Sequence, residues 1–105
     1  MIIQFNTDKT ISGEKRRESY FTELIIKELQ HYSDHITRLE VHISDENGNK
    51  EGPEDIRCLI EARIEGKQPI AVKNQASTDE KAVSGAVDKL KSALKKIMDT
   101  MKNHR

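Results

Sequence analysis

The side chains able to act as ligands or nucleophiles are few in this 105-residue chain. His31 and His35 stand four apart, the spacing that sets two imidazoles on one side of a helix, and His42 follows them in sequence. With a third ligand they would make a zinc site. The helical pattern ends between the first two, at Ser33-Asp34, and no carboxylate or cysteine is placed to complete the set, so no metal is expected. Cys58 beside a histidine would suggest a thiolate nucleophile. It alternates in phase with Ile56, Ile60 and Ile64, however, on the side expected to be buried, where a thiol stays protonated and inert. Glycine-rich phosphate loops, nucleophile elbows and paired catalytic carboxylates are missing. The acidic stretch 45–55 lacks the glutamate at the twelfth position that a calcium loop needs. Neither catalysis, a cofactor nor a small-molecule substrate is expected.

The remaining chemistry is charge. Lys and Arg number 18 and Asp and Glu number 18, so the formal net charge is zero. The balance is uneven along the chain. Residues 1–39 hold six basic and six acidic groups, residues 40–66 three and eight, and residues 67–105 nine and four. On a helical wheel, Lys91, Lys95 and Lys102 line one flank of the last apolar stripe, and Lys89 and Lys96 line the other. Five lysines over fourteen positions can follow phosphates. The same distribution also suits an ordinary surface helix, with lysine stems over the core edges and cations toward its C-terminus. Arg16 and Arg17, at the start of an earlier helical segment, either extend this patch or serve solubility.

These groups must be positioned by elements whose periodicity switches several times. Residues 1–6 read as a short apolar strand. From about Gly13 to Tyr32, Phe21, Leu24, Ile25, Leu29 and Tyr32 recur at three and four, as on one buried helical stripe. Residues 36–44 alternate, with Leu39, Val41 and Ile43 on one side and Arg38, Glu40 and His42 on the other, as in a strand with one wet face. Residues 45–54 hold two glycines, a proline and no apolar residue, and read as a solvated hairpin loop. Ile56, Cys58, Ile60, Ala62 and Ile64 form the next strand, and Gly66-Lys67 suggests a type II′ turn into a strand ending near Ala76. Ser77-Thr-Asp-Glu80 resembles a capping box for a helix carrying Val83, Ala86, Val87, Leu90, Leu94, Ile97, Met98 and Met101. Gly85 sits inside that helix at a cost of roughly 1 kcal/mol relative to alanine.

The order βαβββα predicts a two-layer α+β sandwich: a four-stranded sheet with two helices on one face, the first two strands parallel and the rest an antiparallel meander. One domain spanning 1–105 is expected. A single cysteine cannot close an intrachain disulfide, no signal peptide opens the chain, and no apolar run approaches the ~20 residues of a membrane helix, so a cytoplasmic location with no membrane partner is expected.

With these elements in view, Asp34-His-Ile-Thr-Arg-Leu-Glu-Val-His-Ile43, Gln68-Pro-Ile-Ala-Val72 and above all Ala86-Val-Asp-Lys-Leu-Lys-Ser-Ala-Leu-Lys-Lys96 resemble the hibernation promoting factor and ribosome-associated inhibitor family. The resemblance covers nearly the whole chain. It implies a fold layered like a double-stranded RNA-binding domain, and a protein that occupies the messenger and transfer RNA channel of the small ribosomal subunit in resting cells. It further implies that Lys89, Lys91, Lys95 and Lys96 face ribosomal RNA. The chain stops at Arg105, so the extra C-terminal domain through which long members pair ribosomes is not expected. The competing expectation is a protein-interaction module using the acidic strands or the free sheet face with Arg57, Leu59, Glu61 and Arg63; a small metal- or thiol-dependent enzyme is a third. A monomer is the simplest state, although the edges of a four-stranded sheet can pair between chains.

Overall fold

A computed structural model describes the backbone of residues 1–7, 14–45 and 56–103, and the side chains of residues 1–6, 18–45 and 56–100. The elements are β1 (Ile2–Thr7), α1 (Glu14–Glu28), a 3₁₀ helix (Gln30–His35), β2 (Ile36–Asp45), β3 (Ile56–Ile64), β4 (Ile70–Ala76) and α2 (Asp79–Asn103). The strands form one sheet in the order β1-β2-β3-β4. β1 and β2 are parallel, and the two later pairings are antiparallel, as the crossover through α1 requires.

One apolar cluster joins the sheet to both helices. Phe21, Ile25 and Leu29 of the first helical segment meet Leu39, Val41 and Ile43 of β2, Cys58, Ile60, Ala62 and Ile64 of β3, and Val83, Ala86, Val87, Leu90 and Leu94 of α2. All are buried, and no polar or charged residue is buried among them. The period-two and helical patterns therefore meet on one face of the sheet. The other face carries Arg38, Glu40 and His42 beside Arg57, Leu59, Glu61 and Arg63, all at least partly exposed.

Local chemistry departs from the sequence expectations at four places. The first helix does not run to Tyr32: its α-helical part ends at Glu28, and the 3₁₀ helix tightens the chain to His35. Three residues per turn then set Tyr32 against the core edge while His31 stays exposed. In β2 strict alternation fails at the start, because Thr37 is an extra residue between the pairs Ile36↔Ile64 and Arg38↔Arg63. This bulge lets Ile36 and Leu39, three apart, both enter the core, and the Thr37 hydroxyl donates to the Arg63 carbonyl at 3.2 Å. The β3–β4 turn is closed by Lys67 N–H donating to Ile64 C=O at 3.1 Å, which puts Gly66 third rather than second. Its φ of 74° is the positive value that a type II turn needs there. Finally, α2 is capped by Thr78 rather than Ser77: the Thr78 hydroxyl accepts from Lys81 N–H at 3.1 Å, and its carbonyl accepts the first helical bond from Ala82. The expected loop at 45–54 falls almost wholly on residues 46–55, outside the described residues.

Candidate nucleic-acid interface

The 25 residues of α2 would extend about 37 Å at 1.5 Å per residue. The helix forms because its apolar residues repeat at three and four, Thr78 satisfies an end N–H, and Asp79 and Glu80 lie in the first turn, where the macrodipole favours anions. Ala82, Val83, Ala86, Val87, Leu90 and Leu94 on its inner side are buried, whereas Ile97 and Met98 further along are only half-buried. Lysines accordingly occupy both shoulders of a helix whose inner side is anchored to β3 and β4.

The four lysines at the centre of the expected patch are not equivalent. Lys91 lies on the α1 side, where its Nζ stands 3.0 Å from Glu28 Oε1 and ties the two helices together. That hydrogen bond and the charge of Glu28 hold the Lys91 ammonium above the ordinary lysine range against the opposing effect of burial, with Asp88 adding to the rise. Lys89 lies on the β4 side and donates from Nζ to the Lys73 carbonyl at 2.8 Å. Lys95 and Lys96 are exposed, without a side-chain partner among the described residues. Successive positions are about 100° apart on a helix, so this pair straddles the outward ridge of α2. The backbone of Lys102 lies in α2 and that of Arg16 and Arg17 in α1, but their side chains lie outside the described residues.

Close approach of α2 to the sheet depends on Gly85. Asn74 of β4 donates its amide to the Lys81 and Ala82 carbonyls at 3.3 Å each, and a Cβ on Gly85 would fall 2.6 Å from Asn74 Cγ. The glycine that composition alone marks as a propensity loss is thus where strand and helix meet.

The histidines and the cysteine separate from this surface. His31 and His35 lie in the 3₁₀ helix, and among the described residues no group of three potential metal ligands contains either. His42 instead faces Glu61 across the strands, with Nε2 2.8 Å from Oε1. Cys58 is buried, and burial pushes its thiol up to about 12. Sequence reasoning missed two features. Tyr20 is half-exposed and meets Phe21 edge-to-face at 5.4 Å, so an aromatic does reach the surface of α1. Glu40, His42 and Glu61 converge on the open sheet face, and only the strand register brings them together.

These features define a two-layer α+β domain with a sheet open on one side and a lysine-edged helix packed on the other. The Thermus thermophilus Protein Y N-terminal domain has the same fold, with a TM-score of 0.72 and 18% identity over 92% of this chain and 99% of that one. A ribosomal subunit interface protein from Coxiella burnetii also superposes, at a TM-score of 0.66 and 18% identity over 94% and 99% of the two chains. No sequence among the curated proteins matches the chain. The family model described as sigma 54 modulation protein / S30EA ribosomal protein matches residues 7–102, and the chain belongs to that family.

Proposed function

We propose that this protein is a ribosome-associated hibernation factor that binds the small subunit in the messenger and transfer RNA channel and acts by occupancy. The observation that carries the reading is the combination of family membership with two lysines, unpartnered among the described residues, on the outward ridge of a firmly anchored helix. Lys95 and Lys96 neutralise ribosomal RNA phosphates first. Lys89 and Lys91 already hold β4 and α1 and contribute by exchanging or sharing those partners. Phosphate contacts of this kind read backbone shape rather than base sequence. The division of charge, with three basic and eight acidic groups in residues 40–66 and nine and four in residues 67–105, favours an oriented approach with α2 leading. A ribosome-bound protein of this kind works in the cytoplasm.

The test is co-sedimentation with purified small subunits across a salt series. Each lost phosphate contact removes roughly 0.7–0.9 from the slope of log affinity against log salt, so Lys95→Glu with Lys96→Glu should flatten it by about 1.4–1.8. Unchanged co-sedimentation of the double variant refutes the α2 mechanism. Association that is insensitive to salt and RNase but lost on Leu59→Ala or Glu61→Lys would assign the partner surface to the open sheet face instead.

A further inference from the structure

The open face of the sheet holds a cluster that the ribosome-binding helix does not use. Glu40 and Glu61 are directly opposed in the β2–β3 register, and His42 follows Glu40 by two on the same face. One ligating atom from each of the three lies within 4.8 Å of the others, and His42 Nε2 is already 2.8 Å from Glu61 Oε1. Two carboxylates opposed on paired strands repel one another. The ordinary remedy is an ammonium or guanidinium between them. Here Arg38 stands 3.8 Å from Glu40 and also donates to Gln4, Arg63 lines the same depression, and the group hydrogen-bonded to Glu61 is an imidazole, which can offer a lone pair as well as a proton.

We propose that Glu40, His42 and Glu61 form a surface site for a divalent metal of the zinc type, clamping β2 to β3 and leaving one coordination position to water. One nitrogen and two carboxylate oxygens with an open fourth position suit Zn²⁺. They are too few and too mixed for Ca²⁺, which takes six to eight oxygens. The side chains of His42 and Glu61 are 35% and 49% exposed, so an ion reaches them without opening the fold. The second ring nitrogen has an outer partner as well. Asn6 Nδ2 lies 3.5 Å from His42 Nδ1. With Nε2 on the metal, Nδ1 carries the proton, and a flip of the Asn6 amide presents its oxygen to accept it. This clamp is independent of where α2 binds.

Calorimetric titration of the chelator-treated full chain with ZnCl₂ should give one ion per chain, with a raised melting temperature and no comparable response to MgCl₂. His42→Ala and Glu61→Gln should each remove stoichiometric binding. Asn6→Ala should weaken it roughly tenfold as an outer partner, and Arg38→Gln, which removes the competing cation, should strengthen it. The double variant His31→Ala/His35→Ala should bind as the parent does. Circular dichroism melts of the metal-free variants check folding, and the absorption of bound Co²⁺ reports the ligand set directly. The proposal is overturned if the parent binds no stoichiometric zinc, if binding survives His42→Ala, or if it disappears with His31 and His35.

Discussion

Replacing Gly85 by alanine in α2 should lower stability, against the direction that helix propensity alone dictates. In a free helix interior the change gains roughly 1 kcal/mol. Here the new Cβ falls 2.6 Å from Asn74 Cγ and 3.1 Å from its Oδ1, well inside ordinary contact. Asn74 must then rotate away and give up both donations to the Lys81 and Ala82 carbonyls. At roughly 0.5–1.5 kcal/mol each, with repacking at the β4–α2 contact, the loss is about 2 kcal/mol and the net destabilisation about 1 kcal/mol. For a domain of this length that lowers the melting temperature by roughly 5 °C. Urea melts of Gly85→Ala, Asn74→Ala and the double variant separate the two effects. With Asn74 already truncated the clash is gone, and Gly85→Ala should stabilise by about 1 kcal/mol, a coupling of about 2 kcal/mol with a change of sign. Equal stabilisation in both backgrounds would refute the contact as the reason for the glycine.

Other consequences of the fold can be measured directly. Thr78→Ala should cost about 1 kcal/mol in a denaturant melt while Ser77→Ala stays close to neutral, since Thr78 makes the cap. Leu90→Ala, at the fully buried centre of α2, should cost roughly 2–5 kcal/mol by the same measurement. The Cys58 thiol should react with a thiol reagent at pH 8 only as fast as the chain opens, because burial pushes it up to about 12. The unfolded chain releases that proton from its ordinary value of 9.0 upward, whereas the folded chain keeps it. Stability from this group is therefore complete below pH 9 and falls toward pH 12, with a slope approaching 1.4 kcal/mol per pH unit by the roughly one-proton difference. Cys58→Ala should remove that slope in melts between pH 8 and 11.

Element types and their faces were legible in the residues because each depends on neighbours a few positions away. Alternation at Leu39, Val41 and Ile43 and at Cys58, Ile60 and Ala62 leaves one way to bury a strand face. The three-and-four spacing of Val83 to Leu94 does the same for α2. The differences fell where a neighbouring residue or register decides between two local patterns. Ser77 and Thr78 are both good caps, and the chain entering from β4 selects the second. Alternation over 36–44 puts Ile36 on the wet side with Arg38, and the extra residue at Thr37 turns it inward.

The class of fold, the buried thiol and the lysine-bearing helix follow from periodicity within segments and from their order along the chain, whereas the family resemblance came from matching the residues of 34–43, 68–72 and 86–96 to a known pattern. Which lysines are free was decided only in three dimensions. Glu28 and the Lys73 carbonyl are 63 and 16 residues from the lysines they hold, Lys91 and Lys89, and no helical wheel contains them. The partners of His42 were likewise decided by strand register: nearness in sequence groups it with His31 and His35, whereas β2–β3 pairing sets it beside the opposed pair Glu40 and Glu61. Charge and ligand sets act through distances of a few ångströms, and between elements those distances come from packing rather than from separation along the chain.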